Sequence, residues 1–174
     1  MPIEQYREVC VLLLVSIAAV NDLMTRRIPN RLLLAGLAVA FVLCGMSVAP
    51  GPALLAALGG ALTGLAVFLP FYLVRGMAAG DVKMLAVVGA FSGAEETLQV
   101  AVLTWCAGGV MALVLVLWRG RLLLAIGNVG RMLGGLVLPG AMAAAPVTQE
   151  SAGSMPYGVA IAIGTVAVLL RHYS

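Results

Sequence analysis

Arg75-Gly-Met-Ala-Ala-Gly-Asp81-Val-Lys83-Met84 is a short polar break in a chain that is otherwise almost continuously apolar. It holds one of only two aspartates in the protein. The other, Asp22, lies in a second break, Asn21-Asp-Leu-Met-Thr-Arg-Arg-Ile-Pro-Asn-Arg31. What these breaks interrupt decides the fold. Of the 174 residues, 63% are hydrophobic and only 10% charged, and the mean hydropathy is +1.11. A soluble domain this apolar could not cover its surface with polar groups, so most of the chain must be solvated by lipid. The apolar runs are long and unbroken rather than short and alternating, which excludes a β-barrel. The sequence predicts an all-α polytopic membrane protein.

The same composition excludes several functions. A net charge of +3, with basic residues flanking apolar runs instead of forming a patch, argues against a nucleic-acid partner. Cys10, Cys44 and Cys106 lie singly inside apolar runs with no CxxC pair, and read as small buried hydrophobes, neither a disulfide framework nor a metal site. The one histidine, His172, is the third residue from the end. No cofactor is implied. Glu4, Arg7 and Glu8 give a mixed-charge start with no small-residue cleavage pattern, so the first apolar run is expected to be a retained span.

Outward from the Asp22 break, span one runs from Val9 to Val20 and is extended through Asp22 to Met24 to reach a bilayer's length. Ile28 before Pro29 stops a helix there, and Asn30 is the expected N-cap of span two, Arg31 to Val48. Gly45 to Pro52 turns the chain into span three, Ala53 to Val74, whose Gly60-xxx-Gly64 pattern permits close helix approach. Packing within the chain is the simpler use of that pattern; a homodimer contact is the other. Val82 to Phe91 is too short to cross a bilayer at 1.5 Å per residue, so it must start recessed or be surrounded by protein. Span five is Leu98 to Trp118. Arg121, Asn128 and Arg131 share one face of Arg119–Val137, the pattern of an amphipathic interfacial helix. Gly134 to Ser154 reads as loop, and Tyr157 to Leu170 as the last span. The expected architecture is one integral membrane domain, residues 1–174, with six membrane helices and one interfacial helix.

Counting spans places both aspartates on one face. That face also holds Arg26, Arg27, Arg31, Arg75, Lys83, Arg119, Arg121 and Arg131, against Arg7 and Arg171 on the other, where Glu95 and Glu96 lie. Eight basic residues against two is a strong positive-inside bias, and it puts the aspartates at the cytoplasmic side.

Each aspartate has a structural explanation. Gly80-Asp81 before an apolar run looks like a helix N-cap. Asp22 could pair with Arg26 or Arg27. It nonetheless sits at a helix C-terminus, where the dipole disfavours a carboxylate, and ionisable residues within spans are usually functional. Together the two suit a different chemistry. Two carboxylates held close share a proton, so one activates water while the other protonates the reacting carbonyl. This is aspartyl-protease chemistry and needs no metal, cysteine or histidine.

Three motifs carry a resemblance. Asp22-Leu-Met-Thr-Arg-Arg-Ile28-Pro29-Asn30 resembles the D-x(5)-I-P-N motif of type IV prepilin peptidases, membrane aspartyl proteases of bacteria. Gly80-Asp81-Val-Lys83-Met-Leu resembles the second aspartate motif, usually GxGD followed by V-K-L-L or similar. Met155-Pro156-Tyr157-Gly158, followed by small residues, resembles the P-[FY]-G motif of the final span. They fall in family order. The resemblance implies that Asp22 and Asp81 form the catalytic dyad, with Ile28, Pro29, Asn30, Gly80, Lys83, Pro156, Tyr157 and Gly158 in support. It further implies cleavage of basic leader peptides from prepilins or pseudopilins at the cytoplasmic face of the bacterial inner membrane, in the service of pilus biogenesis. Two features depart from the pattern. Ala78 stands where the first glycine of GxGD belongs, and nothing corresponds to the N-terminal cytoplasmic, cysteine-bound zinc domain of the larger enzymes. The chain therefore resembles the short form serving tight-adherence (Flp-type) pili, and methylation of the mature end stays open.

The helix ends predict a division of labour, with Asp81 at a helix N-terminus as base and Asp22 at a helix C-terminus as acid. Lys83, two residues past Asp81, points to another face and snorkels to the interface. The bare residues also admit a small transporter or proton relay using the same aspartates, or a non-catalytic secretion-assembly factor. Neither needs the three motifs.

Overall fold

A computed structural model describes residues 3–74, 76–118, 120, 156–171 and 173. These residues form six α-helices and no strand: α1 (Ile3–Thr25), α2 (Asn30–Gly45), α3 (Pro50–Leu73), α4 (Ala79–Ser92), α5 (Ala94–Trp118) and α6 (Tyr157–Arg171). The helices α1, α3 and α5 are long and apolar enough to cross a membrane, while α2 and α6 are shorter apolar helices. The expected interfacial helix, 119–137, lies outside the described residues apart from Gly120. The chain divides into two compact units, residues 1–108 with 156–174, and 109–155. All that follows concerns the first.

Helix α4 is the hub. It packs against α1, α2, α3 and α6. Asp81, Val82 and every residue from Met84 to Phe91 are buried, leaving Ala79 and Lys83 as its exposed positions. Of the two explanations for so short an apolar run, the structure adopts enclosure by protein. A helix of 14 residues, about 21 Å long at 1.5 Å per residue, needs such a sleeve more than it needs lipid.

The sleeve closes because α3 meets α4 backbone to backbone. A Cβ built on Gly60 would lie 1.9 Å from the Gly89 carbonyl oxygen, and one on Gly89 would lie 2.2 Å from that of Gly60. One turn on, a Cβ at Gly64 would stand 2.6 Å from the Leu85 carbonyl oxygen. Among apolar surfaces in lipid there is little hydrophobic gain from association, so close van der Waals contact of this kind supplies much of the attraction. The Gly60-xxx-Gly64 pattern is therefore spent on α4 within the chain. On α4's neighbours, Phe68 of α3 is fully buried and stacks against Trp105 of α5, ring centroids 6.2 Å apart.

Three helices start earlier than the apolar runs imply. Helix α1 begins at Ile3, so Glu4, Arg7 and Glu8 are helical. Helix α3 begins at Pro50, since proline at N1 has its φ already set and no N–H to lose. Helix α5 begins at Ala94, with Glu95 and Glu96 in the first turn where the dipole favours acids. Only Gly93, at φ 83, separates it from α4. At this end the helices are tied by polar side chains: the Arg7 guanidinium donates to the Phe91 carbonyl, the Tyr173 hydroxyl donates to the Glu8 carboxylate, and Arg171 Nη1 donates to Gln99 Oε1 at 3.3 Å. Both aspartates lie at the other end of α1 and α4.

A glycine series tests the sleeve. Gly60→Ala and Gly89→Ala must push the two backbones apart, and each is expected to lower stability by about 1–3 kcal/mol. A Cβ at neighbouring Gly59 meets nothing within 4 Å, so Gly59→Ala is expected to be neutral or stabilising by up to about 1 kcal/mol. Thermal unfolding in detergent reads the difference, and equal melting temperatures for all three variants would contradict the packing.

Candidate active site

Helix α1 keeps its shape for three residues past Asp22, then stops. Arg26 adopts φ 55, and its N–H donates to the Asp22 carbonyl at 2.9 Å, a left-handed C-terminal turn in a residue without glycine's freedom. The Thr25 hydroxyl donates to the Asn21 carbonyl at 2.8 Å. Pro29, at φ −64 and ψ 125, then serves as the N-cap of α2, and its carbonyl accepts from the N–H groups of Leu32 and Leu33. Asn30 is thus the first residue of α2 and not its cap, because proline's fixed φ already provides the entry angle. The asparagine is used elsewhere: its Oδ1 accepts a hydrogen bond from Lys83 Nζ at 3.3 Å.

Helix α4 starts one turn earlier than a cap at Asp81 would require. Ala78 is the N-cap, with φ −81 and ψ 150, which puts Asp81 at the third helical position. From there its carboxylate faces the Ala78 backbone. An acid at this position reaches back toward the N-cap in the manner of half a capping box. The extended φ of Ala78 also explains how alanine replaces the motif glycine, since no left-handed conformation is asked of it.

Asp22 and Asp81 come from different helices, yet each is only 6% exposed and their carboxylates interact electrostatically. Asp22 Oδ2 accepts a hydrogen bond from the Gly158 N–H at 2.8 Å. Gly158 belongs to the first turn of α6, so Asp22 faces a helix N-terminus as well as ending its own helix. Both carboxylates therefore stand at helix N-termini, and the dipole argument that assigned base to one and acid to the other no longer separates them.

The supporting residues gather around this pair. Ile28 lies against Gly80, where a Cβ would be 3.4 Å from the Ile28 Cβ, and Lys83 reaches Asn30; the two aspartate motifs touch at two points. Lys83 is exposed and turned away from the dyad, as its spacing implies. Pro156 is buried just before α6, whereas Pro29 is exposed. The half-buried Tyr157 interacts electrostatically with Asp81, and its ring packs on Gly108 of α5, where a Cβ would stand 3.2 Å from Cε1. Gly108 carries no signal in the sequence, for a glycine in an apolar span has many neighbours it could be serving. Two depressions, of about 490 and 270 Å³, lie at the far end beside Ser92 and Glu96, and neither is lined by the aspartates. Two carboxyl groups held in one buried place can divide a proton between them, the arrangement that lets one polarise water while the other donates.

The geometry of Ala78 makes a direct prediction. Restoring the motif glycine, Ala78→Gly, relieves no strain and adds unfolded-chain freedom, so it is expected to lower stability by about 0.4–1 kcal/mol. A rise in melting temperature would mean that the backbone at 78 is not extended.

Comparison with known proteins gives a family. The model of the type IV leader peptidase family matches residues 9–113, from the second turn of α1 to near the end of α5, a range that includes both aspartates. The Pro156-Tyr157-Gly158 motif lies beyond the matched stretch. No curated protein and no solved structure matches the chain. The family match covers more than half of the sequence, and the chain belongs to the type IV leader peptidase family.

Proposed function

We propose that this protein is a membrane aspartyl endopeptidase that removes basic leader peptides from prepilins or pseudopilins, with Asp22 and Asp81 as its catalytic pair. The observation that carries the reading is the burial of two carboxylates from α1 and α4 at one end of the bundle, in mutual electrostatic contact. Family membership supplies the reaction class. Water attacks the scissile carbonyl as one carboxylate takes its proton, and the other carboxyl protonates the carbonyl oxygen. Collapse of the tetrahedral intermediate then passes a proton to the leaving amine and restores the shared-proton state. Every proton needed is carried by the pair, and the residues require no cofactor.

The same reading makes all six helices membrane segments and the dyad end cytoplasmic. Arg26, Arg27, Arg31 and Lys83 are exposed at that end, while Glu4 and Glu95 are exposed at the other. A substrate with a basic leader and an apolar segment would lie with its leader in the cytoplasm and its apolar segment in the bilayer of a bacterial inner membrane.

Asp22→Asn and Asp81→Asn are each expected to reduce conversion of a co-expressed prepilin to its shorter form by at least about a thousandfold, at wild-type abundance. Gel mobility of the precursor reads this, and processing that survives in either variant would refute the dyad. Sidedness has its own test. With Cys10, Cys44 and Cys106 replaced, a cysteine at 94 is expected to react with a membrane-impermeant maleimide in intact cells. One at 27 should react only after lysis, and the reverse pattern would overturn the orientation.

A further inference from the structure

The Asp22 carboxylate is held from a helix other than its own. It accepts a hydrogen bond from 136 residues away, from the backbone N–H of Gly158 at 2.8 Å. That N–H belongs to the first turn of α6, where no intrahelical carbonyl is available to it, so the bond to Asp22 takes nothing from the helix. The residue is buried, and the space where its side chain would be is already filled by the aspartate. A Cβ on Gly158 would lie 3.0 Å from Asp22 Cβ, 3.0 Å from Oδ2 and 3.2 Å from Cγ. The neighbours of Gly158 add stiffness. Pro156 is buried immediately before the helix, the Val159 N–H donates to the Pro156 carbonyl at 3.1 Å, and the Tyr157 ring is seated on Gly108. At the other end, α6 is tethered through Arg171 to Gln99 and through Tyr173 to Glu8. The donor is therefore fixed on a helix that cannot easily slide along α1.

We propose that Gly158 is a positioning residue for the Asp22–Asp81 pair: its N–H fixes the Asp22 carboxylate and its missing side chain leaves that carboxylate room beside Asp81. The proposal rests on the reading of the two aspartates as catalytic. It gives the third motif a task, which is to orient a reacting group from across the bundle without touching substrate. Misplacement of a reacting group by about 1 Å is enough to cost on the order of a hundredfold in rate.

Two replacements separate the hydrogen bond from the space. Glycolic acid at 158, introduced as an amide-to-ester exchange, removes the N–H and adds no side chain. Gly158→Ala keeps the N–H and crowds the carboxylate. Gly164→Ala serves as the structural control on the same helix, since its Cβ would meet Thr104 Oγ1 and the Val100 carbonyl oxygen, both at 2.8 Å and away from the dyad. The assay is cleavage, by the purified full chain, of a synthetic peptide carrying a basic leader and an apolar segment. The ester and Gly158→Ala are expected to lower kcat by about tenfold to a hundredfold with KM within about twofold. Gly164→Ala should lower the melting temperature and leave kcat per folded molecule near wild type. If Gly158→Ala does not fold, the ester alone decides. Wild-type kcat in the ester variant, alongside an inactive Asp22→Asn, overturns the positioning role and leaves the dyad standing. Full activity in Asp22→Asn overturns both.

Discussion

A fourteen-residue helix that carries a carboxylate in its first turn is a poor object to expose to lipid, and the architecture follows from hiding it. Helix α4 is enclosed by α1, α2, α3 and α6, and the enclosure depends on the contact of its backbone with that of α3 at Gly60 and Gly89. Side chains at those points would hold the two helices apart. With glycine there, carbonyl groups and Cα atoms meet directly, and dispersion over the resulting surface replaces the hydrophobic driving force that lipid does not supply. Asp81 inherits its position from this packing, since it lies two turns before Gly89 on a helix that has no freedom to move outward.

The second carboxylate is held by different means. Asp22 belongs to a long helix that continues for three more residues, which makes its backbone rigid, but its carboxylate is oriented from α6. The segment that follows α1 and the start of α4 are cross-braced, by Ile28 against Gly80 and by Lys83 to Asn30 at the start of α2. Each brace joins one motif to the other. The uncharged pair Ile28 and Gly80 meet through shape, and the charged Lys83 engages a neutral amide.

The six helices were legible because each apolar run is bounded by glycine, proline or charge, and runs this apolar and unbroken favour helix over strand. Their starts were less legible. Pro50 and the Glu95-Glu96 pair look like loop by composition and prove to be first-turn residues, for proline and acids serve helix N-termini as readily as they serve loops. The same ambiguity moved two caps: Asn30 and Asp81 have side chains that could cap, while Pro29 and Ala78, which cannot, occupy the positions. For the site, the aspartates stood out because they are the only two, and Pro156-Tyr157-Gly158 stood out as a motif. That Gly158 faces Asp22, and that Tyr157 rests on Gly108, are tertiary facts between distant positions that no local pattern encodes. The helix-dipole assignment was incomplete for the same reason. It used only the helix each aspartate belongs to, whereas Asp22 also faces the first turn of α6.

The Gly60–Gly89 contact also constrains how the sequence can change. Each glycine meets the carbonyl of the other, so the two positions occupy one shared gap and not two separate ones. Once a methyl at either position has opened that gap, a methyl at the other finds part of the separation already made, and their effects should combine less than additively. Divergence at this pair is therefore steep at the first step and shallow at the second. Lineages that keep both glycines stand at the top of that slope, and a chain that has lost one has little left to defend at the other.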